Sequence, residues 1–363
     1  MTTTGPAADI ILDAGTSVTA NDLLKATGNI DVDAGTSITY ASLMADGNID
    51  LMAGTFINGG TQMAGGSVTG NAGTTYTSGL ITTGTGSVTV TAGGLANIDD
   101  VPASAGANNA ADDGLSIAGI NSADGISLNA ANGDIVLSSP VTSVGTLALD
   151  VTAGDIVAGD ITTTGPASDI DVSAATTGNV WLGNLDATGN ILTASTGLTS
   201  IITQTADGSI TGTAGTTYSS GLMTTEAPGA GAITVSSTGD ATIAGYDSNG
   251  TAGLTSSAGD VDLSAGATSV GTSTLTATTG SVTTQAVTTT GAGADIVLDA
   301  GLNVDSAGTL TAAGNVIGNA ASGAMTLTDV VAGSAADLSA GTTMTTQSIT
   351  AGTFADLDSG GDM

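Results

Sequence analysis

Apolar and polar positions alternate through residues 28–38, Gly-Asn-Ile-Asp-Val-Asp-Ala-Gly-Thr-Ser-Ile, and most of the remaining chain is an imperfect copy of that stretch. With Gly28 at the head of a register, an earlier copy starts at Ala8 and later ones at Gly47, Gly66 and Gly86, in steps of 20, 19, 19 and 20 residues. Two places after the head stand Ile10, Ile30, Ile49, Val68 and Val88; four places after it stand Leu12, Val32, Leu51, Gly70 and Val90. Six and seven places after it come Ala14, Ala34, Ala53, Ala72 and Ala92, then Gly15, Gly35, Gly54, Gly73 and Gly93. The alternation predicts a strand that turns at Ala-Gly. A second alternating run ends in Val18, Ile38, Ile57 and Tyr76, and a third apolar patch falls at Leu23, Leu43, Met63 and Ile81.

Three short strands and three corners therefore fit one repeat of 19–20 residues. Strands this short cannot bury an apolar face alone, so each coil must stack on the next with equivalent strands paired in parallel, about 4.8 Å apart. The predicted fold is all-β, a parallel β-helix or β-solenoid. Its inside is lined by the columns above, with Ala at the narrow corner and Gly beside it for positive φ or close backbone approach. A disordered Gly/Ala/Thr linker has a similar composition but would not hold Ile, Val and Leu in fixed columns.

Composition sharpens this picture. The chain has 363 residues, 2% aromatic, and an ordinary globular core built from it would be thin. A solenoid core needs contact only between neighbouring coils. Roughly 18 coils are expected, stacking to on the order of 85 Å at the parallel-strand spacing. The net charge of −32 carries a single basic residue, Lys25. That excludes a nucleic-acid grip, which needs Lys and Arg on phosphates, and argues against an anionic membrane surface. No apolar run of about 18 residues could span a bilayer. No signal peptide is read at the start, where residues 2–6 already resemble repeat sequence, so an excised piece or an export signal lying elsewhere is expected. Cysteine is absent, so disulfides play no part.

The whole of 1–363 reads as one repeat solenoid. Residues 1–94 hold the cleanest coils. From 95 to 132 the period falters among Asp99, Asp100, Pro102, Asn108, Asn109, Asp112 and Asp113, predicting irregular coils or a protruding loop. Residues 133–363 return to regular and then degenerate coils. A longer repeat is superimposed: Thr-Thr-Thr-Gly-Pro-Ala-Ala-Asp-Ile from Thr2 returns at Thr162 and, loosely, at Thr288. Likewise the stretch from Thr69 to Leu80 returns at Thr211 to Leu222. Duplication of whole coils is tolerated by a stack.

Candidate chemistry is sparse. With no His or Cys, and only Lys25 and Glu226 beside the Asp residues, neither a nucleophile–base pair nor a nitrogen or sulfur metal site can be assembled. A carboxylate pair of the glycosidase kind would need a cleft and aromatic platforms, but Trp181, Phe56 and Phe354 are scattered. No enzyme, catalytic residue, metal ligand or cofactor is expected. Calcium is the cation Asp oxygens could serve: Asp13 and Asp33 share an outward column, where their repulsion is about 0.9 kcal/mol in water. Yet Met52 and Asn71 break that column, and the calcium-binding Gly-Gly-x-Gly-x-Asp repeat does not recur. Thr89 and Thr91 have the spacing of an ice-matching Thr-x-Thr pair, but the same columns read Thr69 and Asn71, Asp50 and Met52, and Asp31 and Asp33, a ladder one coil deep. Tyr76 and Tyr218 are expected in the core.

The repeats Gly-Asn-Ile-Asp-Val-Asp-Ala-Gly and Gly-Ser-Val-Thr-Val-Thr-Ala-Gly resemble those of filamentous haemagglutinin-like proteins, large secreted bacterial adhesins. The resemblance covers the chain apart from 95–132. It implies a right-handed β-helix shaft, exported by a partner protein and displayed at the cell surface, and right-handed crossovers are also the rule for parallel strands. No segment like that family's secretion domain is read here, and no functional residue is carried over. The expected role is an extracellular structural and adhesive shaft, with a host or neighbouring-cell surface as partner. The alternative is a subunit of a filament or surface layer that stacks copies end to end, opposed by net charge until salt or calcium screens it.

Overall fold

The structure, a computed structural model, describes residues 1–84, 86–103, 107–111, 114–117, 120–122, 125–226 and 231–361. Every regular element among them is a β-strand, and neighbouring strands pair in parallel, coil upon coil, as a β-solenoid. The chain divides into two compact units, Met1–Gly183 and Asn184–Met363.

In the first unit, one wall is a stack of five-residue strands running Ile10–Ala14, Ile30–Ala34, Ile49–Ala53, Val68–Ala72 and Val88–Ala92, and continuing to Ile170–Ala174. Their register aligns Ile30 with Ile49 and Val68, and Ala34 with Ala53 and Ala72. Ile30, Ile49 and Val68 are fully buried, each contributing about 1.5–3 kcal/mol of apolar burial. Leu12, Ala14 and Val18 belong to the same columns but are only half-buried, since Ile10–Ala14 pairs with Ile30–Ala34 and no other described strand.

The opposite wall holds the second and third apolar runs. In the early coils they join into one strand bent at the corner, as in Ser37–Ala45 and Phe56–Ala64. Further along they separate, as in Asp134–Leu137 and Val141–Ser143, where Pro140 lacks the N–H that would continue the ladder. The second unit repeats this plan. Its short strands include Ile191–Ser195, Ile210–Ala214, Ile233–Ser237, Ala252–Ser256 and Ser273–Ala277, and its long ones Thr199–Ala206, Tyr218–Thr225 and Ala241–Ser248.

One predicted column is corrected. The inward positions of the third run are Leu24, Leu43, Gln62 and Ile81, which pair in register and are all buried. Leu23 and Met63 point outward, 40% and 49% exposed. An irregularity between Ala20 and Leu23 shifts the first coil by one residue. At the third coil a glutamine holds the core position and the methionine beside it does not, which hydrophobicity alone could not reveal.

The corner glycines serve close approach rather than positive φ. Gly35, Gly54, Gly73 and Gly93 do not take positive φ, but a Cβ on Gly54 would lie 2.3 Å from the carbonyl oxygen of Gly35, and one on Gly73 2.1 Å from that of Gly54. Stacked backbones at this corner leave no room for a side chain.

Leu95–Ala103 pairs in register with Thr75–Thr83, and Ala107–Ala111 with Val88–Ala92 and Ile126–Ala130. The turn residues Asp112 and Asp113, with 104–106, 118–119 and 123–124, lie outside the described residues.

The Thr-Thr-Thr-Gly corners share one geometry. Thr3, Thr163 and Thr289 donate their hydroxyls to the carbonyls of Ala8, Ser168 and Ala294 at 2.7–2.8 Å. Between each pair the chain passes through a left-handed residue: Ala7 with φ 50°, Ala167 with φ 51°, and Gly293 with φ 73°. The two internal corners also rest on the same sequence, Thr-Ser-Val-Gly-Thr at 142–146 and 268–272, through Thr164 N–H to Ser143 O (2.9 Å) and Thr290 N–H to Ser269 O (3.0 Å).

Candidate functional site

Alternation places every second residue of the short strands outside, so the outer face of that wall is the surface a partner would meet. In the first unit its two outward columns read Ile11, Asp31, Asp50, Thr69, Thr89 and Asp13, Asp33, Met52, Asn71, Thr91. Asp13 and Asp33 are paired in register and exposed, as the repeat predicts, and the next two positions are Met52 and Asn71. Among the described residues no group of three or more carboxylates could hold a metal ion.

The second unit carries a deeper hydroxyl array than the first coils suggest. Thr213, Ser236, Thr255 and Thr276 form an unbroken outward column, and Thr211, Thr234, Gly253 and Thr274 stand beside it. This corrects the expectation that the Thr ladder is one coil deep. That expectation came from the coils before residue 95, whereas hydroxyl pairs recur here at Thr211 and Thr213, Thr234 and Ser236, and Thr274 and Thr276.

No protein-family model matches the chain, and no curated protein and no solved structure matches it. The residues themselves must therefore carry any functional reading.

A hydrogen-bonding column missed in the sequence runs along the corner that precedes the short strands. Asp9 Oδ1 accepts from Asn29 N–H at 2.6 Å, Asn29 Oδ1 from Asn48 N–H at 2.8 Å, and Asn48 Oδ1 from Ser67 N–H at 2.9 Å. Asn190 and Ser209 repeat it in the second unit, and Asp240, Asp260 and Ser281 use the same device at a different corner, the one that precedes Ala241–Ser248, Val261–Leu263 and Val282–Thr284. Many of the Asp and Asn residues are thus ties between coils. The signal was available, since Asn, Asp or Ser directly precedes the first inward Ile or Val in copy after copy.

Among the described residues a few groups are electrostatically perturbed. Burial, with the charges of Asp150 and Asp169, raises the Asp171 carboxyl above the usual carboxylate range. The tyrosines are buried and raised by that burial, Tyr76 and Tyr246 to about 12. Tyr76 and Tyr218 lie in the core as expected, each ring filling the space beside a glycine of the facing wall, Gly70 and Gly212. Trp181 and Phe56 are partly exposed, on separate coils.

An open cleft of about 400 Å³ lies beside Met44, Met63, Thr82 and Gly84. It has one carboxylate in its lining, Asp46, and so lacks the pair that glycoside hydrolysis requires. Among the described residues no helix is long and apolar enough to cross a membrane.

Proposed function

We propose that this chain is a structural and adhesive shaft of an extracellular bacterial surface protein, acting by display rather than catalysis. The observation that carries the reading is the in-register repetition of outward side chains, such as Thr213, Ser236, Thr255 and Thr276, over a core whose columns hold the coils together. A surface repeated at the strand spacing suits a partner that is itself extended and repetitive, such as a cell-surface polysaccharide. Weak contacts repeated along such a face add through effective concentration. The resemblance to haemagglutinin-like repeats points the same way.

The test is adhesion. Beads coated with the full chain should adhere to cells or to an immobilised surface polysaccharide, and beads carrying Thr213→Lys/Thr255→Lys should adhere less at unchanged circular dichroism. Absence of adhesion by the unaltered chain would refute the adhesive role. Fibres appearing on addition of calcium or high salt, seen by electron microscopy, would instead favour the filament subunit.

A further inference from the structure

Each unit buries one glutamine amide in a cluster of hydroxyls, and each amide is satisfied at one end only. Gln62 is 1% exposed and Gln204 0%. Nε2 of Gln62 faces the hydroxyl oxygens of Tyr40 at 2.5 Å, Tyr76 at 2.6 Å and Ser78 at 3.0 Å. In the second unit, Nε2 of Gln204 faces Tyr218 at 2.8 Å and Ser220 at 3.0 Å. Both Oε1 atoms are buried with no hydrogen-bond partner.

Hydrogen-bond arithmetic makes this significant. An amide nitrogen has two protons, so the Gln62 nitrogen cannot serve all three hydroxyls. Separations of 2.5 and 2.6 Å also suit O–H···O contacts, usually about 2.7–2.8 Å, better than N–H···O contacts of about 2.9–3.0 Å. Turning the amide end for end would let Oε1 accept from the tyrosines, but the nitrogen would then be the bare end. In either orientation one polar end of the side chain is buried without a partner. Buried polar groups left so are rare, because desolvation goes uncompensated.

The arrangement occurs twice, on duplicated sequence. Gln62 precedes Tyr76 by fourteen residues and Gln204 precedes Tyr218 by the same number, with serine two residues after each tyrosine.

We propose that the far end of each amide binds an internal water molecule, making the Gln62 and Gln204 clusters two hydrated sites within the core. Water both donates and accepts, so it satisfies the bare end of the amide in either orientation.

Oxygen-17 magnetic relaxation dispersion on the full chain tests this, because it counts waters that reside longer than the protein tumbles. Gln62→Met and Gln204→Met should each remove the amplitude of about one long-lived water, and the double variant about two. Unchanged amplitude in a variant that keeps its β circular dichroism overturns the site concerned. Should a variant fail to fold, a high-resolution crystal structure of the unaltered chain decides: density for water within hydrogen-bonding distance of the free amide end upholds the site, and none there overturns it.

Discussion

The three Thr-Thr-Thr-Gly corners contain their own controlled experiment in backbone strain. Ala167 holds φ 51° where the equivalent residue of the third corner is Gly293, at φ 73°. An L-residue in the left-handed region costs roughly 1–2 kcal/mol through crowding of Cβ against the following carbonyl. Replacing it with glycine removes that cost but adds about 0.4–1 kcal/mol of unfolded-chain entropy. Ala167→Gly should therefore stabilise by about 0.5–1 kcal/mol. Gly293→Ala should destabilise by a similar amount, and the comparison is clean because a Cβ built there meets no atom within 4 Å. Any loss then reports the backbone conformation alone. For cooperative units of this size, about 1 kcal/mol moves the midpoint by about 2–4 °C. The assay is thermal unfolding by circular dichroism, with native-state amide exchange to show that the change is local to the altered unit, since long repeat arrays can unfold in parts. Opposite signs at the two sites are the expected result. If both substitutions destabilise, the left-handed assignment at Ala167 is wrong, whatever the size of either effect.

Two further outcomes follow from inside and outside positions and from the buried phenols. Ala53 is 4% exposed in the corner column, so Ala53→Leu should overpack it and cost about 1–3 kcal/mol, whereas Asp50→Asn on the outer face should be neutral or slightly stabilising at low salt; equal effects in urea titrations would overturn the inside–outside assignment. Tyr76 and Tyr246 are raised to about 12 from an ordinary value of 10, so the stability they contribute is fully present below pH 10 and lost as pH rises from 10 towards 12, on the order of 2–3 kcal/mol for each phenol. Phenolate absorbance and loss of β circular dichroism should rise together in that window. Phenolate formation near pH 10 with the fold intact would contradict the burial of the rings.

The fold was legible because a stack repeats its constraints. Each inward residue meets the same column above and below, so Ile30, Ile49 and Val68 announce the wall they line, and Ala34, Ala53 and Ala72 the corner. What escaped the pattern broke that repetition for a local reason. Gly70 interrupts an aliphatic column because the Tyr76 ring occupies the space its Cβ would need. Gln62 stands in an apolar column because tyrosine hydroxyls from neighbouring coils reach it, a relation between the second and third runs that no single column displays. The Asn and Asp ladder was overlooked for a different reason. Acidic residues at turns suggest solvent or cations, and only the coil-to-coil geometry shows their oxygens capping the N–H groups of the next coil.

The same logic locates where function can vary. An inward substitution is felt by the coil above and the coil below, so inward positions are tightly constrained: Gly70 and Gly212 stand where a tyrosine ring takes the space, and Gly318 where Leu338 and Met325 do. Outward columns carry no such constraint, and in the first unit they pass from Asp31 and Asp50 to Thr69 and Thr89 within four coils while the inward positions beside them stay Ile30, Ile49, Val68 and Val88. Chemistry can therefore be exchanged along the surface without cost to the fold, one coil at a time. In the second unit a run of hydroxyls persists through Thr213, Ser236, Thr255 and Thr276 although the stack does not require it. Uniformity where folding permits variation is what a repetitive partner would demand. That makes this column, rather than the acidic pair of Asp13 and Asp33, the first place to look for contact with a surface.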